Sequence, residues 1–154
     1  MIKVACLKQF ELKINERGMR FKERLSFDED SNLQIVDVPP HHNRVASRYV
    51  KDLNLNLQLQ VRWMDRECLV SKILQPQESA IQIEALQNQN LDVYVDPENA
   101  TTVNILEIEG PEMDHAEIPS SLRTYCPHDF KAKVQTIINY LLISTITVGN
   151  TSAR

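Results

Sequence analysis

Alternation of apolar and polar residues dominates the first half of the chain. "FELKI" from Phe10 alternates, "MRFKERLSF" from Met19 alternates after Gly18, and "LQIVDV" from Leu33 follows the polar turn "DEDSN". Short runs of period two bounded by turn residues predict strands. Pro39 and Pro40 break the pattern, because neither can extend a central ladder. The most regular run covers 49–63. Leu53, Leu55, Leu57, Leu59, Val61 and Trp63 take every second position, with Asp52, Asn54, Asn56, Gln58, Gln60 and Arg62 between them. This predicts one two-faced strand, turned by "MDRE" into a hairpin with "CLVSKIL".

Beyond Pro76 the period changes. Ile81, Ala85 and Leu86 lie at helical spacing, which predicts a short helix over 77–88. "LDVYVD" and "TTVNILEIE" are strand-like, and an acidic loop, "GPEMDHAEIP", follows. "SSLRTYC" reads as a short helix with a serine cap. "KVQTIINYLLISTITV" is rich in β-branched residues and is the most strand-prone and aggregation-prone stretch. Strands, hairpin, helix, strands, helix and strand in that order predict an α+β domain with a mostly antiparallel sheet.

The 154 residues suffice for one domain with a real core. A net charge of -4, with basic residues scattered, argues against a nucleic-acid footprint. Three glycines leave little for a phosphate-cradling loop. No segment reaches the roughly 20 apolar residues of a spanning helix, and no signal-length apolar run opens the chain. Two sequons, at Asn99 and Asn150, mark glycosylation candidates and point toward the secretory pathway.

Candidate chemistry is sparse. No zinc-protease helix, nucleophile elbow, P-loop or dinucleotide fingerprint is present, so nothing supports an enzyme, and no cofactor or metal is implied. His41-His42 after two prolines reads as an exposed loop before it reads as a metal clip. Cys126, His128 and Asp129 are adjacent in sequence, but a nucleophilic thiol needs a base held in space. Of the three cysteines, Cys6, Cys68 and Cys126, one stays unpaired within the chain or pairs with another chain. Spacing alone favours a buried free thiol at Cys68.

Asp52 opens the alternating strand, Cys68 follows sixteen positions later, and Cys126 stands in "SLRTYCPHD". This Val-x-Asp opening, amphipathic strand, cysteine, helix and second cysteine resemble the BRICHOS domain. The integral membrane protein 2 (Bri) group is the nearest in pattern, since "DVP" at Asp37-Val38-Pro39 follows an acidic strand there too. The resemblance covers about 19–133, with 1–18 as an N-terminal segment and 134–154 as a β-prone tail. Leu53 and Leu69 stand where the family usually has aromatics.

The resemblance implies a sheet flanked by two short helices, a Cys68–Cys126 disulfide and a chaperone-like or pro-domain role in the ER or Golgi lumen or at the cell surface. It implies a type II membrane glycoprotein precursor anchored by an upstream helix, with aggregation-prone β peptides such as amyloid-β as partners. One such partner is its own segment 134–148, although "KVQTI" from Lys133, which overlaps its start, also reads as the last strand of the sheet. Asn54, Asn56, Gln58 and Gln60 are then the client-face candidates, a polar row able to bond an extended peptide. Asp52 is the candidate pH sensor, since partial burial would raise its pKa. A homo-oligomer is compatible with this class. The contrasting expectation is a cytosolic α+β interaction module without chaperone activity.

Overall fold

Turn chemistry, more than strand alternation, partitions this chain. The computed structural model describes residues 7–16, 18–73, 93–95 and 105–139. They form nine strands: β1 (Leu7–Glu16), β2 (Met19–Asp28), β3 (Leu33–Val38), β4 (Ser47–Asp52), β5 (Leu57–Arg62), β6 (Glu67–Lys72), β7 (Val93–Val95), β8 (Ile105–Met113) and β9 (Lys131–Asn139). All belong to one sheet of order β7-β1-β2-β3-β4-β5-β6-β9-β8. β1 to β6 is an antiparallel meander, while β6–β9 and β1–β7 pair in parallel.

Three hairpin loops share one geometry. Residues 29–32, 53–56 and 63–66 each close a hairpin with a fourth residue at positive φ: Asn32 (54°), Asn56 (56°) and Arg66 (54°). Asparagine tolerates this left-handed conformation better than most residues. In two of the loops an aspartate precedes the turn and caps it. Asp28 Oδ1 accepts from the backbone N–H of Asp30 and Ser31, and Asp52 Oδ1 accepts from those of Asn54 and Leu55. Each left-handed residue then offers its carbonyl to a neighbouring strand. Asn32 accepts from Leu53 N–H, Asn56 from Ile73 N–H and Arg66 from Lys131 N–H.

The run 49–63 is therefore two strands and a turn, not one strand. The difference relocates Asp52. On a continuous strand it would share a face with Gln58 and Gln60. The hairpin instead sets it opposite Leu57, on the apolar side.

The two-helix α+β expectation is also corrected, because the described chain is mostly β. Its helical structure is one turn, α1 (Ser120–Arg123), preceded by a 3₁₀ turn at His115–Glu117. Pro119 precedes α1, and Pro127 biases Cys126 away from helical geometry, so "SSLRTYC" has no room to extend. No serine caps it, since Pro119 occupies the N-cap. The helix predicted over 77–88 lies outside the described residues. "GPEM" belongs to β8, which continues through a register shift between Glu109 and Glu112.

The sheet changes its apolar face partway across. One cross-strand row reads Glu11, Arg24, Asp37, Arg48, Val61, Cys68, Ala132. It is charged on β1–β4 and buried from Val61 onward. The adjacent row, on the opposite face, reads Phe10, Leu25, Val36, Tyr49, Gln60, Leu69. It is apolar on β1–β3, polar at Tyr49 and Gln60 on β4 and β5, and apolar again at buried Leu69 on β6. Two clusters result. Leu33, Val50, Leu59, Val61, Cys68 and Val70 pack on the first face under Ile118, Leu122, Cys126 and Phe130, and Phe10 and Leu25 anchor the second. Fully burying a Val or Leu side chain contributes about 1.5–3 kcal/mol, so the first cluster is the larger source of stability.

Candidate functional site

The residues that carry the sequence motif meet on the first face. Cys68 is fully buried on β6, Cys126 is 3% exposed just after α1, and a disulfide joins them across 58 positions with Cα atoms 6.2 Å apart. Closing so long a loop stabilises by about 4 kcal/mol in the chain-entropy model. Asp52 lies in the same region at 4% exposure. Its Oδ1 caps the β4–β5 turn, and its Oδ2 accepts a 2.5 Å bond from Ser121 Oγ of α1. Buried charge is tolerated when it is this fully hydrogen-bonded. Asp52 and Cys68 thus hold the segment that covers the core at two points, one polar and one covalent.

Ser121 was not legible as Asp52's partner, because its place in "SSLR" reads as a cap. Arg123 completes the segment by donating to the carbonyls of Ala116 and Ile118. His115 Nε2 lies 2.6 Å from the Phe130 carbonyl and donates to it. Arg66 pairs with Asp129 and lies 5.2 Å above the Phe130 ring.

The four client-face candidates do not form one row. Asn54 and Asn56 are exposed in the β4–β5 turn, where Asn54 Oδ1 accepts from Asn32 Nδ2. Gln58 and Gln60 share the second face, half-buried. Gln58 Nε2 donates to Ser71 Oγ, and Gln60 Nε2 donates to Tyr49 Oη and Ser47 Oγ. The turn explains the split, since a strand's side-chain rows end where the ladder does. Asn99, Asn150, Cys6 and "LLISTITV" lie outside the described residues, whereas "KVQTI" lies within β9.

Next to Gln60 a charge network spans four strands. Arg62 contacts Asp65 (2.8 Å) and Glu67 (3.0 Å), and Lys133 contacts Glu67 (3.2 Å) and Glu109 (3.5 Å). The hydrogen bond to Glu67 leads in raising the Lys133 ammonium above the ordinary lysine range. The outer strand, β8, carries Glu107, Glu109, Pro111 and Glu112, features that blunt a sheet edge against adventitious pairing.

Among the described residues no cluster of His, Cys, Asp or Glu is arranged to hold a metal ion, and no helix is long and apolar enough to cross a membrane. No family model, curated protein or solved structure matches the chain.

Proposed function

We propose that this chain is a BRICHOS-type domain that shields aggregation-prone β segments within the secretory pathway. The observation that carries the reading is the convergence of Asp52 and Cys68 with Ser121 and Cys126. These motif regions are far apart in sequence and share one buried contact region. A disulfide of this kind suits an oxidising compartment. Shielding requires a cover that can be moved without dissolving the sheet. The 114–130 segment is the candidate cover: it packs on the sheet through Ile118, Leu122 and Phe130 and is tied to it at two points. The client candidate is the chain's own β-branched stretch.

The test is the fibrillation of a synthetic 137–148 peptide with the oxidised full chain at substoichiometric ratio. Lengthening of the lag phase is expected for this peptide and for an unrelated amyloid peptide. An unchanged lag for both, with the chain folded by circular dichroism, overturns the reading and leaves an interaction module without chaperone activity.

A further inference from the structure

The second face carries a half-open cavity of about 650 Å³, within the size range typical of small-molecule sites. Ile14 of β1 and Glu107 of β8 both line it, although these strands stand near opposite ends of the sheet order. The sheet therefore curls around this face, as sheets do when they approach barrel closure.

The lining is divided by chemistry. Ile14, Phe21 and Val38 form an apolar wall, and Phe21 stacks on the His41 ring with centroids 4.4 Å apart. Beside them, beginning next to Val38 in the ladder, stand Ser47, Tyr49 and Gln60. The Gln60 amide donates to both hydroxyls, at 3.4 Å and 3.2 Å, so each hydroxyl is already an acceptor. Their own O–H donors have no acceptor among the described residues, and the Gln60 carbonyl oxygen has no donor there. Burial, followed by the Glu107 carboxylate, pushes the Tyr49 phenol above its ordinary pKa, so it remains a donor at neutral pH.

Two donors and one acceptor on a shared wall match the carbonyl and N–H of an amide. Charge gives a second restriction. Glu23, Glu107, Arg44 and Arg62 all line the cavity, and Arg62 is already held by Asp65 and Glu67, so an anion finds no excess of positive charge there. The geometry points to a binding site for a small neutral amide with an aliphatic tail. Its head bonds Tyr49, Ser47 and Gln60, and its tail lies against Ile14, Phe21 and Val38.

Octanamide, octanoate and octylammonium discriminate the head group at constant tail, with titration followed by amide chemical shifts on the intact oxidised chain. Octanamide should perturb residues 47–49 and 60, and bind at least tenfold more tightly than either charged analogue. Tyr49→Phe should weaken octanamide about tenfold, equivalent to about 1.4 kcal/mol. Ser47→Ala should weaken it in the same direction, which guards against a folding artefact in one variant. Equal binding of the three probes, absence of binding, or perturbation confined to the Val50–Leu59 face overturns the assignment.

Discussion

The Asp52 carboxylate accepts a hydrogen bond from Ser121 Oγ across 69 positions of sequence, while its other oxygen caps its own hairpin. One side chain thus couples a local turn to the packing of α1. Hydrogen bonds to a charged group contribute about 1.5–3 kcal/mol, above the neutral average.

Asp52→Ala should lower stability by about 3 kcal/mol, and Ser121→Ala by about 1.5 kcal/mol. In a double-mutant cycle by urea unfolding the pair should be non-additive by more than about 0.5 kcal/mol. Additive losses would remove the energetic link between turn and helix.

The disulfide gives a larger effect. Cys68→Ala in the oxidised protein should cost about 2–5 kcal/mol. Peptide mapping under non-reducing conditions should recover Cys68 and Cys126 in one linked species. Free thiols at both positions would contradict the bridge.

The left-handed turn positions separate conformation from contact. Asn56→Gly should stay within about 0.5 kcal/mol of wild type, whereas Asn56→Ile should lose about 1–2 kcal/mol. Both are read by thermal unfolding. Equal losses would show that the Asn56 side chain matters more than its φ.

Asp28 supplies a pH signature. The Ser31 side-chain hydrogen bond leads in holding its carboxyl below the ordinary value of 3.8, with the backbone N–H groups of Ser31 and Asp30 adding to it. The folded value lies below the unfolded one, so the contribution is complete above the unfolded value and is lost as pH falls through the folded value. Asp28→Asn should therefore flatten the stability profile below about pH 4 and leave its slope near neutrality unchanged. A steeper acid limb in the variant would reverse the assignment.

Strands β1 to β3 were legible because their alternation is bounded by recognisable turns. β3 begins and ends where "LQIVDV" does. The hairpin inside 49–63 was hidden by Leu53 and Leu55, which continue the apolar phase through the turn although Leu55 is 51% exposed. The better signal was an aspartate with asparagine four positions later, at Asp28–Asn32 and again at Asp52–Asn56. The change of apolar face was invisible for another reason: alternation shows that a strand has two sides, not which side its neighbours bury. The Cys68–Cys126 pairing came from family resemblance, since spacing alone favoured a free thiol. Ser121 as the partner of Asp52 needed the fold, because no local pattern links two residues so far apart.

The Cys68–Cys126 bridge also turns residues 69–125 into a covalent ring. A protease that cuts this ring once releases nothing. Both products remain one molecule until a reductant reaches a sulfur pair that is almost wholly enclosed. Cys68, where the ring closes, pairs with Ala132 beyond it, so a nick in the stretch between β6 and β8 leaves β6 beside β9. Cleavage here therefore yields a two-chain form of the same protein, distinguishable only when the gel is run reduced.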